Sequence, residues 1–314
     1  MILSEIQEVV RECGQLMLRA DHAHAGVENK GKYNDLVTRY DKAIQDILQK
    51  RLLDIAPDAH FLGEEENVHE SIAKGRAFVV DPIDGTTNFV KDYKCSVISV
   101  AMTMDGEVTL GVIYNPYLDE MYTAQKGKGA SCNGIPIHVS DHVLHEGIVL
   151  YGSASYYREL IDESFRLLRL CADEAMDIRR SGSAAWDLCT IAAGRAEMFF
   201  ELRLQPWDFA AGSLLVTEAG GTVTCVDGSP ITIGKPCSIL AKGTQVDDGF
   251  SAGVNRKVSC ILKIKRTSKL VGLNVLLHWN FITSYDSLSV GYRDKELTED
   301  NRCFGSSLEN TEIQ

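Results

Sequence analysis

Residues Ala77-Phe78-Val79-Val80-Asp81-Pro82-Ile83-Asp84-Gly85-Thr86-Thr87-Asn88-Phe89 pass from an uninterrupted apolar run to two acids, a proline and a glycine. The run reads as a short buried strand that delivers Asp81 at its C-terminal end. Asp81 and Asp84 stand three residues apart, so a turn stiffened by Pro82 can bring both carboxylates to one point. Gly85 permits a sharp bend, and the amides of Gly85 and Thr86 can then face an anion at a helix start. Hard oxygen donors with no His or Cys among them favour Mg2+ over zinc. Carboxylates beside anion-binding amides describe a metal-assisted phosphate site.

Working outward, Ile6, Val9, Val10, Cys13, Met17 and Leu18 recur at helical spacing, and Ile44, Ile47, Leu48 and Leu52 repeat the pattern. Downstream, runs at 96–103 and 107–114 flank Met104-Asp105-Gly106, which predicts a β-hairpin. Further strands are expected near 119–124, 147–151, 196–201, 222–226 and 238–241. Helices are expected over 157–173, 183–194 and 208–219, the last stopped by Gly220-Gly221. Strands interleaved with helices predict a layered α/β architecture, with a soft boundary near residue 142.

The composition agrees with a soluble globular protein: of 314 residues, 45% are hydrophobic and 24% charged. A formal charge of −12 argues against nucleic acid or an anionic membrane as the default partner, because the long-range force has the wrong sign. An acidic protein that handles an anionic substrate needs local positive charge, which a metal ion can supply. The nine cysteines are scattered, without a C-x-x-C pair, and read as reduced thiols of a cytoplasmic protein. Met1-Ile2-Leu3-Ser4-Glu5 lacks the pattern of a secretory signal. No window of 18 uninterrupted apolar residues is present, so a membrane span is not expected. Residues 251–270 carry six Lys or Arg and no acid. They read as part of an appended tail, with a basic patch for an anionic partner as the alternative.

Two more segments complete a constellation: Gly63-Glu64-Glu65-Glu66 after Phe61-Leu62, and Trp207-Asp208-Phe209-Ala210-Ala211-Gly212. With these three motifs in this order, residues 1–245 resemble the inositol monophosphatase family of Mg2+-dependent, lithium-sensitive sugar phosphatases. The resemblance implies an α-β-α-β-α sandwich of the inositol monophosphatase and fructose-1,6-bisphosphatase type, usually a homodimer. It divides the chain into an N-terminal half, 1–142, with the first two motifs and a C-terminal half, 143–245, with the third. An atypical tail, 246–314, follows.

Carried over to this chain, the resemblance implies that Glu64, Asp81, the carbonyl of Ile83, Asp84 and Asp208 hold two or three Mg2+ ions. Thr86, with Glu64, orients and deprotonates the attacking water. Gly85, Gly182, Ser183, Ala184 and Glu201 join Glu64, Ile83, Asp84, Thr86 and Asp208 in contacting substrate, with Glu201 accepting hydrogen bonds from its hydroxyls. Asp35 and Asp41 resemble the acids of the family's N-terminal D-L-V-T-x-x-D stretch, Asp41 supporting the metal site from behind, and Lys30 lies on the loop before them. One of Glu65 and Glu66 is expected to support the site as well. Arg179 and Arg180 are open between steering phosphate and a solvated or interface role. His22 and His24 read as a polar loop, and Trp186 and Trp207 as packing residues.

The implied reaction is hydrolysis of myo-inositol 1-phosphate, or a related small polyol phosphate, to the alcohol and phosphate. Fructose-1,6-bisphosphate, histidinol phosphate and 3′-phosphoadenosine 5′-phosphate are alternative substrates. Thr86-Thr87-Asn88-Phe89 resembles the inositol branch more than the nucleotide branch. A regulatory RNA- or protein-binding member of the same fold is the non-enzymatic alternative.

Overall fold

The computed structural model describes residues 2–22, 25–30, 36–65 and 71–246. His24, Asp35, Glu66 and residues 247–314, with the basic stretch 251–270, lie outside the described residues.

Two amphipathic helices, α1 (Ile2–Leu18) and α2 (Arg39–Ile55), turn their apolar stripes inward. Between them, β1 (Glu28–Asn29) and β2 (Leu36–Val37) form a small antiparallel pair. Thr38 starts α2 with a capping box: its hydroxyl accepts from the amides of Tyr40 and Asp41, and the Asp41 carboxylate accepts from the Thr38 amide.

A seven-stranded sheet follows in chain order. Its strands are β3 (His60–Gly63), β4 (Arg76–Asp84), β5 (Val97–Met104), β6 (Glu107–Asn115), β7 (Glu120–Gln125), β8 (Ala130–Cys132) and β9 (Ile135–Pro136). Only the β3–β4 pair is parallel. The predicted hairpin is β5–β6, turning at Asp105-Gly106. A five-residue helix, α3 (Thr86–Val90), leaves the end of β4.

The rest of the chain builds a five-stranded sheet. It contains β10 (Ile148–Tyr151), β11 (Asp177–Arg179), β12 (Met198–Leu204), β13 (Thr222–Thr224) and β14 (Cys237–Lys242), in the spatial order β11-β10-β12-β14-β13. Helices α4 (Arg158–Ala172), α5 (Ala184–Ala192) and α6 (Pro206–Glu218) complete the set.

Alternation along the strands decides the layering, because successive side chains leave opposite faces of a sheet. Phe78 and Val80 of β4 pack with Ile6, Val10, Ile44 and Leu48 of α1 and α2. Their neighbours Ala77 and Val79 face the other way, toward Leu188 of α5, Phe209 and Leu215 of α6, and Phe199 of β12. Met198 and Phe200 then project from the far side of β12 onto Leu167 and Cys171 of α4. The order of layers is therefore α1/α2, seven strands, α5/α6, five strands, α4, which is the expected α-β-α-β-α sandwich. Helix α6 is buried almost all round because it lies in the central layer between two sheets. Among the described residues no helix is long and apolar enough to cross a membrane, and the seven cysteines are all free thiols.

One local expectation changes. Asp81 pairs with Ser99 and Asp84 with Val97, so β4 spends three steps where β5 spends two. The convergence of the two acids comes from a β-bulge inside a continuing strand rather than from a turn, and the extra residue returns Asp84 to the side of Asp81.

Candidate active site

The bulge and the start of α6 bring Asp81, Asp84 and Asp208 together, each offering a carboxylate oxygen within 4.8 Å of the others. Each is held by the fold through one oxygen. Asp81 Oδ1 accepts from the Ile83 amide at 3.0 Å, and Asp208 Oδ2 caps α6 by accepting from the Gln205 amide at 2.7 Å. Asp84 Oδ2 accepts from Ser183 Oγ at 2.7 Å and from the Ala185 amide at 2.6 Å. Among the described residues no Lys or Arg forms an ion pair with any of the three. Burial and the mutual repulsion of Asp81, Asp84, Asp208 and Glu64 push Asp81 and Asp208 well above the usual carboxylate range. Burial likewise raises Asp84 to about 7, against the pull of its hydrogen bonds to Ser183 and Ala185. Converging hard oxygens that resist ionising for want of a counter-charge are the donor set a divalent cation fits.

Glu64 joins them from the neighbouring strand. The parallel β3–β4 register sets Gly63 beside Val80, and the Glu64 amide donates to the Val80 carbonyl at 3.1 Å, so Glu64 meets Asp81. The Lys30 ammonium lies 2.8 Å from Glu64 Oε1 and bonds Glu65 too. Burial disfavours that ammonium, but Glu64 and Glu65 outweigh it and hold its pKa above the ordinary range.

Gln45, buried on α2, pairs with Glu65 as one strand pairs with another. Its amide nitrogen donates to the Glu65 carbonyl, and its oxygen accepts from the Glu65 amide at 2.8 Å. Gly63 has no Cβ where one would collide with that Gln45 side chain. Glu65 is 5% exposed and is pushed up to about 7 by burial and then by Glu64.

Gly85 takes the left-handed φ of 90° that carries the chain from β4 into α3. Thr86 Oγ1 then lies 3.2 Å from Asp41 Oδ1 and 3.2 Å from the Ile83 carbonyl, so its one proton serves either acceptor. Asp41 is fully buried, its other oxygen accepting from the Thr38 amide at 2.8 Å. Burial lifts its pKa to about 6, against the hydrogen bonding of Thr38. Asn88 donates to the carbonyls of Cys95 and Ser181, tying α3 to the loop that carries Gly182 and Ser183.

The predicted ligands and substrate contacts, from Glu64 to Asp208, line one cavity of about 410 Å³, with Asp41 standing behind Thr86. Glu201 of β12 faces it with an oxygen held by the Ala154 amide at 3.0 Å, and burial raises its pKa to about 7. Trp186 packs edge-on to Tyr122, whereas Trp207 is a packing residue that also lines the cavity. His22 does more than occupy a polar loop: its ring meets Phe89 edge-on at 4.8 Å, and Nε2 lies 3.3 Å from Asp92.

Gln45, Asp187, Tyr157 and Arg203 went unrecognised in the sequence. Only Gln45 left a trace there, as a polar residue beside Ile44 on the apolar stripe of α2. Asp187 sits one turn into α5, fully buried, with Ser181 and Arg180 holding its charge against that burial.

The profile of the inositol monophosphatase family matches residues 2–259. An inositol-1-monophosphatase of Bacillus subtilis is 35% identical over 247 residues, covering 76% of this chain and 92% of the relative. The Nus factor SuhB of Escherichia coli K12 is 34% identical over 259 residues, 78% of this chain and 96% of that one. Among solved structures, an IMPase of Thermotoga maritima superposes with a TM-score of 0.71 at 33% identity, over 81% of this chain and 96% of its own.

Proposed function

The chain belongs to the inositol monophosphatase family, and from that premise we propose that it is an Mg2+-dependent phosphomonoesterase acting on myo-inositol 1-phosphate or a related small polyol phosphate. The observation that carries this reading is the trio Asp81, Asp84 and Asp208, converging with no ion-paired Lys or Arg among the described residues on a cavity that Glu201 also faces. Glu64, Asp81, the Ile83 carbonyl, Asp84 and Asp208 would hold the ions. When bound, Mg2+ supplies Lewis acidity to the phosphoryl group, a lowered pKa for water and charge neutralisation for the leaving alkoxide.

The chain's own residues do the rest. Thr86, its proton directed to Asp41, turns a lone pair toward the attacking water and fixes its line of approach. Glu64, at the cavity wall beside Asp81, is the base that takes the water's proton. Ser183 and the Ala185 amide keep Asp84 from rotating, so the phosphoryl group meets a site already arranged for it. Glu201 reads the polyol through its hydroxyls. The halves 1–142 and 143–245 each supply part of this one site, and the working form is a homodimer.

Phosphate release from myo-inositol 1-phosphate, with Mg2+ and after chelation, tests the reading. Turnover that survives chelation, or that is undiminished in Asp81→Asn, overturns it. A panel including fructose-1,6-bisphosphate, histidinol phosphate and 3′-phosphoadenosine 5′-phosphate ranks the substrates. Light scattering reports the dimer.

A further inference from the structure

The adjacent arginines at 179 and 180 part company in the structure. Arg179, on the edge strand β11, pairs with Asp177 at 2.6 Å. Arg180 instead lines the cavity, exposed, near Gly182. It has no hydrogen bond or ion pair among the described residues. A second guanidinium joins it on the cavity wall. Arg203, two residues beyond Glu201 on β12, lies 4.5 Å over the ring of Tyr157. The Tyr157 hydroxyl in turn accepts from the side-chain Nε2 of Gln205 at 3.1 Å. Stacking on an anchored ring holds a guanidinium in place without using its N–H donors.

These two are unlike most arginines among the described residues. Seven others among the described residues are ion-paired to a carboxylate, which is the expected arrangement in an acidic chain. Among the described residues, Arg180 and Arg203 bring guanidinium groups without an ion pair into a cavity whose other charges are acids and Lys30, and Lys30 is already paired with Glu64 and Glu65. The carboxylates nearest Arg180 are Glu201 and Asp187, and it lowers the pKa of both. Burial keeps each above the carboxylate range nonetheless, Glu201 at about 7, so they neutralise it incompletely. Among the described residues neither Arg180 nor Arg203 forms an ion pair with Asp81, Asp84 or Asp208.

A polyol hydroxyl offers a guanidinium only a single neutral acceptor. A phosphate offers charge as well, and its oxygens match the planar fork in pairs. We propose that Arg180 and Arg203 form a subsite for a second phosphate on the substrate, so that the chain prefers polyol bisphosphates to polyol monophosphates. This rests on the phosphatase reading of the acid cluster and adds to it the identity of the group at the far side of the ring. The reaction itself is unchanged: water's oxygen bonds to the phosphorus held at the acids, and the ester oxygen leaves with a proton.

The test compares kcat/KM for myo-inositol 1,4-bisphosphate and myo-inositol 1-phosphate in the presence of Mg2+. In the natural protein the ratio exceeds about ten, carried by KM, since a hydrogen-bonded charge pair is worth about that factor or more. Arg180→Met and Arg203→Met, which keep the stems and remove the charge, each lower the ratio at least about fivefold, and Arg180→Lys recovers part of the loss. Because the readout is a ratio, general damage to the fold cancels. A ratio near one in the natural protein, or a ratio unmoved by both Met variants, overturns the subsite. Should neither ester be turned over, the phosphatase reading fails by itself. The same ratio, taken from calorimetric Kd values for the two esters, then decides the subsite in the same way.

Discussion

The two walls of the cavity are built by different means. On the acid wall, the carboxylates of Asp41, Asp81, Asp84 and Asp208 are bonded to backbone within a few residues of a strand end or helix start, and Glu64 is paired with Lys30. On the opposite wall, Glu201, Tyr157, Arg180 and Arg203 come from a strand and loops of the five-stranded sheet, and both arginine side chains are exposed. The first wall is rigid because burying like charges is costly unless hydrogen bonds hold them. The second carries little such cost and can differ between relatives without endangering the fold. In the proposed function, chemistry falls to the first wall and choice of substrate to the second.

Breaking the acid wall has the largest effect. Asp208→Asn keeps a carbonyl oxygen for capping α6 but removes the charge, and phosphate release should fall at least about a thousandfold. The metal-free melting temperature should hold or rise, because a buried charge has been removed. Loss of activity with collapse of the fold would instead make Asp208 a structural residue. Gln45→Leu leaves the Glu65 backbone unpaired without touching any predicted ligand. It should raise the Mg2+ concentration for half-maximal rate by about ten- to a hundredfold, with Gln45→Glu intermediate and kcat at saturating Mg2+ nearly restored. An unchanged Mg2+ requirement would separate Gln45 from the metal site.

Glu201→Gln sharpens the contrast from the other side. It should raise KM for a polyol phosphate by about tenfold and leave the Mg2+ requirement alone, since it replaces one acceptor in a partly wet wall. The smallest effect is a pH dependence of stability. Asp41, Glu65 and Asp84 have folded-state pKa values of about 6, 7 and 7, above their ordinary values. Their protonated forms favour the fold, so that contribution is complete below about pH 4 and is lost as pH rises through 6 to 7. In chelator, Tm should therefore fall by a few degrees between pH 5 and pH 7.5. Saturating Mg2+ should offset the fall, because a ligand bound only by the folded state stabilises it. A flat Tm in chelator would show that the acids ionise freely without a cation.

The acids that converge were readable in advance because each lies in a short contiguous motif. Asp81-Pro82-Ile83-Asp84-Gly85-Thr86 and the opening of α6 name their own chemistry. The layer order was readable as well, since alternation in β4 and helical spacing in α1 and α2 are properties of single segments. The bulge between Asp81 and Asp84 was not, because it exists only relative to the register of β5. Gln45 was missed for a related reason: a glutamine beside an apolar stripe reads as surface until the backbone it pairs with, twenty residues on, is placed against it. Arg180 and Arg203 are separated by a helix and a strand, and nothing local distinguishes them from the paired Arg179.

The anchoring of each acid through a single named oxygen has a consequence for ion choice. A carboxylate with one oxygen committed to backbone has one left to give, so Asp81, Asp84 and Asp208 are poor bidentate chelators. Ca2+ takes six to eight oxygens and is commonly satisfied by bidentate carboxylates in a pliant shell, whereas Mg2+ demands a tight octahedron and keeps several of its waters. Three fixed, single-oxygen donors would suit the smaller ion better than the larger one. On the proposed reading, the hydrogen bonds that hold these aspartates in place would thereby also bear on the size of the cation the cavity takes.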